Sequence, residues 1–296
     1  MTKDTPLRAT HEALGATMTD FAGWLMPLRY GSETAEHKAV RTDAALFDLS
    51  HMGEIAVTGP DAGAALDYAL TGWLSKLAPG RARYTMICAP DGGILDDLVV
   101  YRQSPDRFLV VANAANTSVV LPELRERVAG NAVVTDETAD TGLIAIQGPN
   151  AQGLLSALTP LPLGDIKYYA GAYGTVAGKD AWVARTGYMG EDGFEIFCAA
   201  GDAVAIWEAL ASSGSGAGVP AAGLAARDTL RLEAGMPLYG NELGPDVTPY
   251  EAGLPRVVRL DKPGDFVGRD ALAARDTLRL EAGMPLYGNE LGPDVT

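Results

Sequence analysis

Residues 54–62 read EIAVTGPDA, and residues 143–151 read LIAIQGPNA. In both stretches an apolar, strand-like run leads into a Gly-Pro turn and then into a helical run, residues 63–70 in the first case and 152–158 in the second. Proline fits the first turn of a helix because its missing N–H would have no partner there. Two such strand–turn–helix units predict an α+β fold of two related lobes rather than one doubly wound sheet.

Composition and charge exclude several classes of protein. The 296 residues are 47% hydrophobic, which is enough for a large buried core, and no run of about 18 apolar residues predicts a membrane span. Against 23 basic residues there are 38 acidic ones, and the net charge of −15 disfavours binding to nucleic acid. The polar N-terminus lacks the apolar core of a signal peptide, and two distant cysteines, Cys88 and Cys198, favour buried thiols in a cytoplasmic protein over a disulfide framework.

One segment of the chain occurs twice, letter for letter. Residues 224–248 and residues 272–296 both read LAARDTLRLEAGMPLYGNELGPDVT. Natural structural repeats diverge and tile a chain, so an identical pair indicates a duplication artefact more than a functional tandem repeat. We expect the first copy to occupy the docking site in the fold and the second copy to be peripheral or poorly packed.

Two adjacent carboxylates interrupt an apolar strand in residues 91–101, DGGILDDLVVY. Successive side chains of a strand point to opposite faces, so Asp96 and Asp97 cannot both line one pocket. Among apolar neighbours a carboxyl group has a raised pKa, which makes it a usable proton acceptor. The alternative for either residue is a structural aspartate that bonds to the backbone.

A glycine-rich segment, residues 185–195, reads RTGYMGEDGFE and predicts a tight loop between strands. It presents an arginine, a tyrosine and three acids. Such a cluster suits a flat polar heterocycle, because an aromatic ring can cover its face while a carboxylate accepts two parallel N–H bonds from its edge. The alternative is an acidic hairpin whose charges are solvated.

A helix start at residues 227–233, RDTLRLE, places Arg227 and Arg231 on one face. The alternative interpretation is surface salt bridging with Asp228 and Glu233, which contributes little stability. The three histidines at positions 11, 37 and 51 have no ligand-like partner nearby in sequence, so we expect them to be solvated or locally hydrogen-bonded. The chain has no zinc pattern, and no metal site is predicted.

Taken together, these stretches resemble the aminomethyltransferase family, the T protein of the glycine cleavage system. The matching motifs run in family order: DFAGW at 20–24, FDLSHMGE at 47–54, GGILDDL at 92–98, QGP at 147–149, RTGY and GEDGFE at 185–195, and ARDTLRLE at 226–233. The resemblance spans residues 5 to about 271, and the combination is more specific than any single motif.

The resemblance implies an activity and its site. Family members take an aminomethyl group from the lipoylated H protein and pass its one carbon to the co-substrate tetrahydrofolate, giving 5,10-methylenetetrahydrofolate and ammonia. By position, Asp97 is expected to be the catalytic carboxylate and Asp96 a structural residue. The implied folate-binding residues are Tyr84, Asn113, Tyr188, Glu195 and Arg227. Of these, Glu195 is expected to bind the pterin edge and Arg227 to orient the folate.

The resemblance also implies how the chain is organised. Residues 1–50 and 137–245 are expected to form a folate-binding lobe, residues 51–136 a second α+β lobe and residues 246–271 a linker, followed by the duplicate at 272–296. Family members continue into a C-terminal β-barrel that helps to close the folate channel, and the expected fold is the family's α+β fold lacking that domain. A non-catalytic folate-binding relative and another folate-dependent one-carbon enzyme of the superfamily are the alternatives.

Overall fold

A computed structural model describes residues 2–214 and 218–281 of the chain. Its strands are β1 Lys3–Asp4, β2 Thr17–Phe21, β3 Trp24–Arg29, β4 Ala45–Asp48, β5 Gly53–Thr58, β6 Arg81–Cys88, β7 Ile94–Ser104, β8 Arg107–Ala112, β9 Val133–Asp136, β10 Thr141–Gln147, β11 Gly171–Val176, β12 Lys179–Ala184 and β13 Gly193–Ala199. Its α-helices are α1 Arg8–Ala13, α2 Glu33–Thr42, α3 Ala62–Ala69, α4 Thr117–Arg127, α5 Ala151–Ser156, α6 Ala203–Ala211, α7 Leu224–Glu233 and α8 Arg269–Glu281.

Both predicted strand–turn–helix units are confirmed. The first is β5 followed by α3, and the second is β10 followed by α5. The glycine of each turn has a positive φ, 119° at Gly59 and 140° at Gly148. A Cβ would lie 2.0 Å from the Asn131 carbonyl oxygen at the first position and 2.3 Å from that of Asp43 at the second. Another part of the backbone crosses each turn too closely for any side chain, so both turns require glycine.

The two units organise two sheets of the same design. One five-stranded sheet has the order β6-β7-β8-β5-β9 and the other the order β11-β12-β13-β10-β4. All neighbours in both are antiparallel. With β5 matched to β10, the first four strands correspond one to one, which confirms two related lobes. The residue limits that we assign to the lobes and the linker stay a prediction.

The apolar side chains form layers that follow the strand period of two. In β10, Ile144 and Ile146 face a core shared with α5 and α6, whereas Leu143 and Ala145 face the other sheet. A second core lies between the first sheet and helices α3 and α4. The inner faces of the two sheets meet in a third core, and the functional cavity described below opens beside it.

A small sheet of order β1-β3-β2 was not anticipated from the sequence. Its hairpin turns at Ala22 and Gly23, which both have positive φ. Helix α7 lies against β3, and a Cβ at Gly223 would lie 2.3 Å from the Leu28 carbonyl oxygen. This glycine therefore lets α7 begin directly on the small sheet. From residue 200 onward the described residues form no strand, so they contain none of a C-terminal barrel.

The first ten residues of the duplicated segment adopt the same local structure in both copies, in different surroundings. These residues, LAARDTLRLE, form α7 in the first copy and the greater part of α8 in the second. Leu230 of α7 is fully buried between the sheets, while its counterpart Leu278 is 60% exposed. In α8, Leu272 is buried against Phe266 and Cys88. Residues 282–296 lie outside the described residues, and the peripheral position of the second copy stays a prediction.

This pair of identical helices provides a stability test with an internal control. Leu230→Ala should lower the free energy of unfolding by about 2–5 kcal/mol, because it removes a buried side chain and leaves a cavity. Leu278→Ala, the same change in the same local sequence, should alter it by less than about 0.5 kcal/mol. Urea unfolding followed by circular dichroism measures both. Equal losses for the two variants would show that the second copy packs as the first does.

Candidate active site

The six site residues that the family resemblance implies surround one cavity of about 280 Å³ between the two five-stranded sheets. They come from six different segments: β6, β7, the end of β8, the glycine-rich loop, β13 and α7. In that order the residues are Tyr84, Asp97, Asn113, Tyr188, Glu195 and Arg227. Residues separated by up to 143 positions in the chain therefore line the same cavity.

Asp97 lies in the cavity wall and is held by two side chains. The Tyr84 hydroxyl donates a hydrogen bond of 2.9 Å to its Oδ2, and the Asn113 side-chain amide donates one of 2.8 Å to its Oδ1. Burial raises the pKa of the Asp97 carboxyl, while these two hydrogen bonds and the charge of Arg227 lower it. The result is a carboxylate in a fixed orientation whose affinity for a proton is increased.

Asp96 points to the opposite face of β7, as expected, and is fully buried. Its carboxylate accepts hydrogen bonds from the backbone N–H of Asn113 at 3.0 Å and from the side-chain amides of Asn113 at 2.9 Å and Asn116 at 2.6 Å. Burial raises the pKa of Asp96 to about 7, against the effect of these hydrogen bonds. The same Asn113 nitrogen thus contacts both carboxylates, one on each side of the strand.

Glu195 faces the cavity from β13 with one of its oxygens already bound. Its Oε2 accepts hydrogen bonds from the Tyr101 hydroxyl at 2.9 Å and from the Thr186 hydroxyl. Its Oε1 has no hydrogen-bond donor among the residues that the structure describes. The two hydroxyl groups orient the carboxylate and leave one oxygen for a ligand.

Arg227, from α7, and Tyr188, from the glycine-rich loop, form a stacked pair in the cavity wall. The guanidinium carbon of Arg227 lies 4.6 Å from the centre of the Tyr188 ring, and the Tyr188 hydroxyl donates a 2.6 Å hydrogen bond to the Pro237 carbonyl. Burial lowers the pKa of the Arg227 guanidinium. Its Nε is buried and has no hydrogen-bond partner within residues 2–214 and 218–281. A buried cationic donor without a partner is costly, so this group is suited to a ligand.

Three further residues of the cavity were missed in the sequence. Tyr101 and Thr186 lie within the quoted stretches but were not singled out, and both orient Glu195. Tyr169 belongs to no motif, yet it lines the cavity with a φ of 56°, a conformation that costs a non-glycine residue energy. Its carbonyl accepts a 2.9 Å hydrogen bond from the Ala82 N–H and joins the two lobes there. Its place in the cavity depends on this backbone conformation, which the sequence does not indicate.

The expectation for the histidines is wrong for His51. This ring is fully buried, and neither nitrogen has a hydrogen-bond partner among the described residues. Burial lowers its pKa to about 3, so the ring is neutral. His11 is buried too, but it bonds to Asp48 at 2.9 Å and to the Tyr30 hydroxyl at 2.7 Å.

The interpretation of the α7 arginines as surface salt bridges is confirmed for the pairing with Asp228 but is wrong about Glu233 and about the exposure of Arg231. Arg231 is buried and pairs with Asp228 at 2.9 Å and with Glu242 at 2.8 Å. Glu233 is instead paired with Arg41, from α2, and with His37. Helix α7 is therefore tied to its neighbours along one face, while Asp228, Leu232 and Glu233 are exposed on the other.

Neither a metal centre nor a membrane span is found among residues 2–214 and 218–281. No group of three or more histidine, cysteine, aspartate or glutamate side chains there is arranged to hold a metal ion. Every helix in the same part of the chain is too short or too polar to traverse a bilayer.

Comparison with known proteins assigns the chain to one family. The family model described as the GCVT N-terminal domain matches residues 7–262. The aminomethyltransferase of Streptomyces coelicolor is 62% identical over 268 residues, covering 90% of this chain and 72% of that protein. The aminomethyltransferase of Streptomyces avermitilis is 61% identical over 270 residues, covering 91% and 73%. The crystal structure of glycine cleavage system aminomethyltransferase T from Bartonella henselae superposes with a TM-score of 0.87 at 39% identity, covering 94% of this chain and 76% of that one.

The raised pKa of Asp96 predicts a pH dependence of stability. The folded carboxyl holds its proton up to about pH 7, whereas the unfolded one loses it near pH 3.9. Between these values the folded state binds more protons, so this residue's contribution to stability falls as the pH rises. Asn does not titrate, so the unfolding free energy of Asp96→Asn relative to wild type should increase by about 2 kcal/mol from pH 5 to pH 8.

Urea unfolding at the two pH values measures this difference, and Asp106→Asn, an exposed site, is the control. If the difference in unfolding free energy between Asp96→Asn and wild type is the same at both pH values, the pKa of Asp96 is not raised in the folded protein.

Proposed function

The chain belongs to the GCVT N-terminal domain family. From this membership we propose that it is an aminomethyltransferase of the glycine cleavage system and that it uses tetrahydrofolate. The aminomethyl group arrives on the lipoyl arm of H protein, and its one carbon leaves as 5,10-methylenetetrahydrofolate together with ammonia. The relatives' names and the T protein structure support the transferase activity. The proposal also includes tetrahydrofolate as the co-substrate, lipoylated H protein as the carrier and a cytoplasmic location.

One observation carries the proposal: a half-buried carboxylate with a raised pKa lies in the wall of a cavity that also holds an acid and a cation suited to a polar heterocycle. Asp97 supplies the first, and Glu195 and Arg227 supply the others. A cavity of about 280 Å³ is at the small end of ligand sites. It suits the reacting end of a folate better than the whole molecule.

The reaction requires proton transfers that suit Asp97. Two C–N bonds form between the methylene carbon and the folate nitrogens, while the C–N bond to ammonia and the C–S bond to the lipoyl arm break. The two protons that the folate nitrogens lose end on ammonia and on the freed thiol. A carboxylate with a raised pKa accepts such a proton and returns it near neutral pH. The Tyr84 and Asn113 hydrogen bonds hold Asp97 in one orientation for this step.

The opposite side of the cavity is assigned to binding. The free Oε1 of Glu195 is available for an N–H group at the pterin edge, because Oε2 is occupied by Tyr101 and Thr186. The Arg227 guanidinium, stacked on Tyr188, offers its buried Nε–H to the folate. Binding and proton transfer thereby fall to different lobes.

Replacing Asp97 with Asn should reduce turnover by about 10²–10⁴-fold, the typical contribution of a general acid–base. Binding of tetrahydrofolate should change by less than about tenfold, because Glu195 and Arg227 are untouched. Ammonia release from aminomethylated H protein measures turnover, and calorimetry measures binding. Turnover at the wild-type rate would disprove the role of Asp97. Binding without turnover in the wild type would instead indicate the non-catalytic folate-binding alternative.

The duplication provides a matched pair for the binding site. Arg227 lines the cavity, whereas Arg275, at the same place in the second copy, is exposed and pairs with Glu251 at 3.2 Å. Arg227→Ala should weaken tetrahydrofolate binding by at least about tenfold, as loss of a charged hydrogen bond does, and Arg275→Ala should leave it unchanged. Calorimetry on both variants checks this, and a loss confined to Arg275→Ala would reverse the order of the two copies.

A further inference from the structure

Arg41, in the last turn of α2, joins two segments that carry the binding residues. Its Nη1 donates to the Met189 carbonyl at 2.6 Å and to Glu191 at 3.2 Å, both in the glycine-rich loop. Its Nε donates to Glu233 at 2.7 Å and its Nη2 to the Leu230 carbonyl at 3.3 Å, both in α7. One planar guanidinium therefore binds the loop on one side and the helix on the other.

These contacts lie next to the residues that face the cavity. Met189 follows Tyr188 in the loop, and Leu230 lies one turn beyond Arg227 in α7. Because Tyr188 and Arg227 stack on each other at 4.6 Å, the spacing of loop and helix sets the geometry of the stack. Arg41 itself does not line the cavity.

The loop and the helix end approach so closely that their spacing is sensitive to any change. Gly190 has a φ of 76°, and a Cβ there would lie 2.6 Å from the Cβ of Ala234 and 3.8 Å from Nη2 of Arg41. Among the described residues no backbone hydrogen bond joins the two segments, so side-chain contacts fix their distance. The planar fork of arginine, with five donors in fixed directions, is suited to this and lysine is not.

We propose that Arg41 is a positioning residue for the folate site, which locks the Tyr188 loop onto α7 and so fixes the stacked Tyr188–Arg227 pair. This inference rests on the proposed function and adds a residue that touches neither the ligand nor the reacting atoms. Since Asp97 and its partners belong to the other lobe, loss of Arg41 affects binding of the folate more than the chemical step. A displacement of binding groups by about 1 Å is enough to cost up to about 10²-fold.

The test compares Arg41→Gln with Arg41→Lys in the full chain. For Arg41→Gln the KM for tetrahydrofolate and its Kd should rise on the order of tenfold, with kcat within about threefold of wild type. Arg41→Lys, which keeps the charge but not the fork, should recover part of the loss. Arg8→Gln is the matched control, because Arg8 also pairs with two acids, Asp4 and Glu12, but contacts no segment of the cavity.

A fall in unfolding stability with unchanged KM and Kd would overturn the proposal and leave Arg41 a merely structural residue. Should Arg41→Gln not fold, Glu191→Gln, which removes one of its partners in the loop, provides the same comparison. If the wild type binds tetrahydrofolate without turnover, the transferase proposal fails while the Kd series still tests Arg41. Absence of tetrahydrofolate binding by the wild type overturns both.

Discussion

The site depends on a single amide placed between two carboxylates, that of the buried Asp96 and that of the half-buried Asp97. The Asn113 side-chain nitrogen contacts Asp96 on one side of β7 and Asp97 on the other, at 2.9 and 2.8 Å. Each aspartate would be costly in an apolar strand without a hydrogen-bond partner. Both are tolerated because Asn113, directly after β8, places its side-chain amide within reach of both carboxylates. The buried Asp96 anchors Asn113 and Asn116, and Asn113 in turn holds Asp97 toward the cavity. The two aspartates are thus parts of one hydrogen-bond network.

The two lobes share strand order but not this network. Val99 pairs with Val111 in one sheet, and Trp182 pairs with Phe197 at the matching place in the other. Asp97 lies two residues before Val99, and Asp180 lies two residues before Trp182. Continuing the same registers would bring Asp97 opposite Asn113 and Asp180 opposite Ala199. Asp180 is exposed, so the carboxylate at the same register position has neither the amide contact nor the burial of Asp97. The repeated architecture provides the walls of the cavity, and a few side chains distinguish one wall from the other.

Much of this could be predicted from the sequence, for identifiable reasons. The Gly-Pro turns after β5 and β10 revealed two lobes because the close backbone approach permits only glycine. The alternation of β7 separated Asp96 from Asp97, since side-chain direction in a strand is a local property. The burial of His51 and the internal position of Arg231 depend on contacts with distant segments and were missed. The duplicated decapeptide makes the same point: helix formation is local and is repeated, whereas burial at Leu230 and exposure at Leu278 are tertiary.

A crystal structure with bound 5-methyltetrahydrofolate, a stable analogue of the co-substrate, would locate the folate directly. We expect the pterin in the cavity between the two sheets, with an N–H group at Oε1 of Glu195, the Arg227 guanidinium beside the ring and the reactive nitrogens near the Asp97 carboxylate. A folate bound elsewhere, or with its reactive nitrogens on the far side of the cavity from Asp97, would contradict this expectation.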